Sequence, residues 1–169
     1  MKLKYISWLP SVLIMATIFY FSAKPDTNSN ESSMLITNRV IKLYEALTDT
    51  QNQNDISIET MEQINLIIRK TAHFCEYALL AASFALHFIL WKQKGKRLFI
   101  APVILASLYA ATDEFHQTFV PGRSGQWKDV FLDTSGAVIG SLIIFLIVVS
   151  ANRKKEKLQQ KSLDSSKPI

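Results

Sequence analysis

The chain has 169 residues, 49% of them hydrophobic, with five glycines, five prolines, one cysteine and a net charge of +5. That length suits one domain, and a single cysteine excludes an intrachain disulfide. The basic residues sit beside apolar runs and form no helical stripe, which argues against nucleic acid and for anionic membrane lipid as a partner.

The apolar residues come in blocks of membrane-spanning length. Roughly 20 mainly apolar residues are needed to cross ~30 Å of hydrocarbon as a helix, and four stretches qualify, at about 5–23, 71–91, 98–119 and 129–151. The expected fold is therefore all-α, a polytopic membrane bundle of four transmembrane helices occupying residues 1–152. A basic tail, 153–169, is expected to lack fixed structure. The first stretch opens on "MKLK", like a secretory signal. Its apolar run is long for a signal core, and Phe21 would take the minus-three position of a cleavage after Ala23, so an uncleaved anchor is expected. Pro10 and Pro102 are placed in first turns, where proline is tolerated.

The outer segment, 24–70, carries one or two amphipathic helices. Ile36, Val40, Leu43, Tyr44 and Leu47 recur at helical spacing, with caps available among residues 28–33. The polar run "TDTQNQND" interrupts the pattern. A second helix starts near Ser57, keeps Ile58, Met61, Ile64, Asn65 and Ile68 on one side, and continues into the second span. Such stretches lie on a membrane surface or pack on the bundle.

Positive charge in short loops sets orientation. Lys2 and Lys4 precede the first span, the loop "KQKGKR" follows the second, and the tail carries Arg153, Lys154, Lys155, Lys157, Lys161 and Lys167. Residues 24–70 hold five basic and seven acidic side chains. The expected topology is a multi-pass cell-membrane protein with both termini cytoplasmic, and with 24–70 and the "VPGRSGQW" turn outside. Aromatic residues agree, Tyr5, Trp8, Trp91 and Phe99 marking the inner boundary and Phe19, Tyr20, Phe119 and Trp127 the outer.

That topology gathers the ionisable groups. His73, Glu76 and Tyr77 share a face at the outer end of the second span. Asp113, Glu114, His116 and Gln117 close the third. Arg123 lies in the turn, and Asp129 and Asp133 open the fourth. Acidic side chains inside a span cost ~2.5–3.5 kcal/mol at mid-membrane and less near the boundary. Two readings follow: boundary residues pinning helices together, or the lining of an outward polar pocket. All ten residues are candidate ligand contacts. Imidazole and carboxylate on adjacent helices would suit Zn²⁺ or another divalent ion, but the spacing matches no metal motif and no cofactor is assigned. No familiar catalytic motif is present. Cys75 is expected to be a small buried side chain, His87 a hydrogen-bonded structural group, and Gly136 and Gly140 a close-packing pair inside the bundle.

"RKTAHFCEYALL" (69–80) and "ATDEFHQTFVPGRSGQWKDVFLDTSGAVIG" (111–140) resemble the VanZ-like family of bacterial membrane proteins. The matching positions are Arg69, Lys70, His73, Glu76, Tyr77, Asp113, Glu114, His116, Gln117, Pro121, Gly122, Arg123, Ser124, Asp129, Gly136 and Gly140. The "FYFSAKPD" end of the first span is also similar to the family's opening. The resemblance implies a role at the cell envelope, in antibiotic resistance of the teicoplanin type, and carries no catalytic assignments. The expectation is an outward pocket that takes a polar headgroup, a cell-wall precursor or a glycopeptide-related ligand, with Arg123 meeting an anionic group. The alternative is an enzyme on a lipid-linked cell-wall substrate, with Glu114 or Asp113 as base and His73 or His116 as acid.

Overall fold

A computed structural model describes residues 3–48 and 57–165. Most of "TDTQNQND" and the extreme basic residues Lys2 and Lys167 lie outside the described residues. Those described form a short 3-10 turn, Leu3–Tyr5, and five helices: α1 (Leu9–Ser22), α2 (Asp26–Thr48), α3 (Ile58–Leu90), α4 (Arg97–Gln117) and α5 (Trp127–Ser165). No strand occurs among them.

Three of these helices, α3, α4 and α5, are long and apolar enough to cross a membrane, whereas α1 is a shorter apolar helix of 14 residues. The first expected span is thus broken. Its leading residues form the 3-10 turn and a bend, and the helix proper starts only at Leu9, with proline in the first turn as anticipated. Pro102 departs from expectation. It sits inside α4, a turn past the start, where it withholds the N–H that would have bonded the Leu98 carbonyl. From Lys70 to Leu90 α3 rises about 30 Å, as does α4 in full, both close to the hydrocarbon thickness.

Packing is inverted relative to a water-soluble bundle. The residues α1 buries are Ser11, Ile18 and Ser22, while Val12, Leu13, Phe19 and Tyr20 are exposed. The core is built around Ile18, Tyr77, Leu80, Ala81, Ala106, Ala110 and Ala137. Small residues inside and large apolar ones outside are what helix association in lipid requires, because lipid is as apolar as leucine and close approach provides the attraction.

Hydroxyl contacts fix the helix order. Ser7 Oγ donates to the Lys4 carbonyl at 2.6 Å and lies 2.9 Å from His87 Nδ1. Ser83 Oγ donates to Leu80 at 2.7 Å, so Ser11 is the donor across the 2.8 Å Ser11–Ser83 contact. Farther along, Tyr109 Oη donates to the Met15 carbonyl at 2.7 Å and Ser22 Oγ to Asp113 Oδ2 at 2.8 Å. α1 therefore runs antiparallel to α3 and parallel to α4. Ser141 Oγ, donating to the Phe99 carbonyl at 2.9 Å, sets α5 antiparallel to α4. His87 has the structural partner expected of it. A double-mutant cycle on Ser11→Ala and Ser83→Ala should return a coupling of about 0.6 kcal/mol, the usual size for an interhelical hydrogen bond in a membrane. A coupling of zero would mean the two hydroxyls do not meet.

The GxxxG face is the tightest contact. A Cβ on Gly136 would stand 2.2 Å from the Phe74 carbonyl oxygen, and one on Gly140 would stand 2.0 Å from that of Ala78. The pair seats α5 on the backbone of α3, inside the bundle.

Three other expectations change. α2 begins at Asp26, so positions 28–33 lie within the helix rather than capping it, and Ser33 Oγ bonds back to Ser29 and Asn30 carbonyls at 3.0 Å. α2 packs through Ser33, Thr37 and Ile41, leaving Ile36, Val40, Leu43 and Leu47 exposed. On α3 the facing residue is Asn65, bonded to Thr37 Oγ1 at 3.2 Å and to Asn30. A polar seam holds this hairpin, and the apolar stripe faces away. α3 does run unbroken from its Ser57 cap, whose Oγ accepts the Thr60 N–H at 3.2 Å. Cys75 is exposed rather than buried, since its side of α3 turns away from the glycine contact. Finally, α5 does not stop near 151 but continues to Ser165 as an exposed helix. Lys, Glu, Gln and Leu all propagate a helix already nucleated, and no glycine or proline intervenes.

Candidate functional site

At the end of the bundle where α1 and α4 finish and α5 begins, a cavity of about 350 Å³ is lined by Asp26, Leu66, Arg69, Lys70, His73, Glu114, Gln117, Gly122, Arg123, Ser124, Gln126, Asp129, Leu132 and Asp133. Antiparallel packing makes it. α3 brings its middle to this level, α4 its last turn, α5 its first two turns, and the Pro121–Gly122 turn, with Gly122 at φ +78, folds the connecting loop over the top.

The rim is ionic. Arg69 Nη2 lies 2.8 Å from Asp26 Oδ1, and Lys70 Nζ lies 2.9 Å from Asp129 Oδ1. Arg123 behaves differently. Its Nε donates to the Lys24 carbonyl at 3.0 Å, Nη2 to the Phe21 carbonyl at 3.1 Å and Nη1 to Gln117 Oε1 at 3.2 Å. It thereby caps carbonyls at the C-terminus of α1, where a cation also complements the helix dipole. Burial, and after it the neighbouring Arg69 guanidinium, pull Arg123 below its usual value, yet a group this basic stays cationic at neutral pH.

Gln117 links rim to interior. With its oxygen on Arg123, its Nε2 donates to Asp113 Oδ2 at 3.1 Å and to Glu114 Oε1 at 3.2 Å. Glu114 Oε2 also accepts the backbone N–H of Gln126 at 2.8 Å, tying the loop to α4. One amide therefore satisfies an arginine and two carboxylates, which a glutamate at 117 could not do. Gln117→Glu should lower the melting temperature of purified protein by several degrees, on the scale of about 2 kcal/mol for two buried carboxylates that lose their donor and face a third acid, whereas unchanged melting would mean the amide is not the bridge.

Below this layer the satisfaction ends. Asp133 is 1% exposed, and among the described residues neither of its oxygens has a hydrogen-bond partner. Asp113 Oδ1 and the Tyr77 hydroxyl are also buried without partners. Buried polar atoms are nearly always hydrogen-bonded; Ser107 Oγ, His116 Nε2 and His73 Nδ1 also lack a partner among the described residues, and Asp133 is the group of this set that lines the cavity with both carboxylate oxygens unmet.

The ten sequence candidates separate accordingly. His73, Glu114, Gln117, Arg123, Asp129 and Asp133 line the cavity together. Glu76 lines a second, smaller space of about 210 Å³ on the α2 side, sharing Arg69, His73 and Arg123 with the first. Its nearest approach to His73 is 3.9 Å, between Oε2 and Nδ1. Tyr77 and Asp113 are buried behind the cavity. His116 turns the other way, its ring 4.6 Å from that of Phe19 on α1. Among the described residues, no three His, Cys, Asp or Glu side chains are placed to hold a metal ion. Asp26, Ser22 and Gln126 were not anticipated. "KPD" before a helix signals Asp26 as a helix-start residue, but nothing in the sequence ties Ser22 or the Gln126 N–H to particular carboxylates.

The stretch that supplies these groups, a basic–His pair on α3, an acidic end to α4, a Pro-Gly-Arg turn and paired aspartates on α5, falls within residues 7–148, which the VanZ/LLP1 family model matches. The chain belongs to the VanZ/LLP1 family. No curated protein and no solved structure matches it. In this VanZ/LLP1 chain the matched region takes in every residue of the cavity, while the exposed end of α5 lies beyond it. Family membership and the apolar helices together identify a membrane protein.

Proposed function

We propose that this VanZ/LLP1 protein is a four-span protein of the bacterial cell membrane whose cavity opens to the outside and binds a polar headgroup or envelope ligand. Its role is protection against glycopeptide antibiotics of the teicoplanin type. The basic α3–α4 loop and α5 extension support a cytoplasmic position for that end, with the cavity then outside. α1 serves as the fourth span, its 14 helical residues completed by the turn before it. The observation that carries the reading is the convergence of α3, α4, α5 and the turn on one cavity with partnerless acceptors beneath it. Polar groups held at membrane depth mark function by default.

An enzymatic reading draws less support. His116 stacks against Phe19 and is not among the cavity-lining residues, leaving His73 as the imidazole beside Glu114.

The test is complementation. In cells lacking the native copy, Glu114→Gln should reduce glycopeptide tolerance at least fourfold with membrane abundance unchanged. Wild-type tolerance with Glu114→Gln and Asp129→Asn together would leave the cavity without a role and make its polar groups structural pins.

A further inference from the structure

The two levels of the cavity are unbalanced in opposite senses. At the rim, Arg69 and Lys70 have carboxylate partners at 2.8 and 2.9 Å, while the partners of Arg123 among the described residues are neutral acceptors. Three of the five N–H donors of its guanidinium are engaged, so the remainder, with a full positive charge, are available at the mouth. At the floor, Asp133 offers two buried oxygens, and no donor among the described residues reaches either. Asp133 lies one turn inward of Asp129 on α5, about 6 Å by helix rise. A ligand that satisfies both levels carries an anion at one end, hydrogen-bond-donating positive charge at the other, and a linker that fits a space of about 350 Å³.

We propose that the cavity binds a phosphoethanolamine-type zwitterion, with its phosphate on Arg123 and its primary ammonium on Asp133. The inference rests on the headgroup reading above and narrows it. A primary ammonium supplies three N–H donors to meet the two Asp133 oxygens. A trimethylammonium supplies charge without donors, and a glycerol headgroup supplies donors without charge. A divalent ion is a poorer match, because the described residues bring no set of three ligands together. At about 350 Å³ the cavity falls within the range of small-molecule sites. Leu66 and Leu132 on its wall suit the carbon linker.

The same chemistry is available on a phospholipid or free in solution, and the test separates these sources. Full-length protein purified in detergent is titrated with dioctanoyl phospholipids bearing ethanolamine, N-methylethanolamine, N,N-dimethylethanolamine, choline and glycerol headgroups, and with soluble phosphoethanolamine. Affinity should fall stepwise with each methyl group, ethanolamine binding at least tenfold more tightly than choline or glycerol. Asp133→Asn should cut that tenfold preference to less than twofold while phosphate-dependent binding persists. The methylation series uses only wild-type protein, so it decides the matter even if the variant fails to fold. Stepwise loss in both lipid and soluble arms supports the proposal with either source, and loss in the lipid arm alone supports it with a lipid source. Equal binding of ethanolamine and choline lipids, or of ethanolamine and glycerol lipids, overturns the ammonium assignment and leaves the headgroup reading intact. Binding of none overturns both.

Discussion

Gly140→Val should be the most damaging single substitution in the bundle, costing about 3 kcal/mol or more, at the upper end of what overpacking usually costs. The obstacle is backbone. A Cβ at 140 would stand 2.0 Å from the Ala78 carbonyl oxygen, and that oxygen cannot rotate aside as a side chain could without breaking the α3 hydrogen bond it accepts. α5 would have to withdraw along its length, taking Asp129 and Asp133 away from α3 and opening the cavity. Gly95 is the natural control. It has φ +64 and nothing within 4 Å of a Cβ, so Gly95→Ala carries only the left-handed backbone strain of about 1–2 kcal/mol. Melting of the two variants in detergent should differ clearly. Equal melting, or a stable Gly140→Val protein, would mean that α3 and α5 are not in backbone contact.

Arg123→Ala should be the second most damaging change, at about 2–4 kcal/mol for three lost charge-assisted bonds, some of them partly in solvent. The loss is not confined to the cavity. Phe21 and Lys24 carbonyls lose their cap, so the end of α1 comes free of the turn. Gln117 loses the contact that fixes its amide, and with it Asp113 and Glu114 lose a steady donor. Arg123→Lys should recover less than half of the stability, because one ammonium cannot reach three acceptors arranged for a planar fork. Full recovery by lysine would show that position 123 contributes charge alone.

The helices were legible because the solvent for most of this chain is lipid, and apolar runs of about 20 residues have one meaning there. Their contact faces were not legible. In water an apolar stripe marks the buried side, whereas here Ser11, Ile18 and Ser22 are the buried residues of α1 and Phe19 and Tyr20 look outward. Hydropathy has no signal for a serine that meets another serine. The same inversion holds for α2, where Ile36, Val40, Leu43 and Leu47 gave the helical period correctly and lie on the exposed face, while Ser33, Thr37 and Ile41 make the contact. The tail read as unstructured from its charge, though Glu156, Lys157, Gln159 and Gln160 form helix readily once α5 is nucleated.

For the cavity, sequence spacing put His73, Glu114, Gln117, Arg123, Asp129 and Asp133 at one level, and the packing brings them around one space. It could not tell that Glu76 faces a neighbouring space or that His116 turns to Phe19, because one-face arguments fix an angle on a helix and not which neighbour occupies it. Nor could it foresee Arg123 as a clamp on carbonyls, since backbone acceptors leave no trace in side-chain identity.

The most direct test of the account is which side of the membrane the cavity faces. With Cys75 replaced by serine, Ser124→Cys and Lys94→Cys are labelled one at a time in intact cells with a membrane-impermeant maleimide. An outward cavity requires Ser124→Cys to label at once and Lys94→Cys only after the membrane is opened. The reverse pattern would put Arg123 and Asp133 in the cytoplasm and contradict an envelope-facing site altogether.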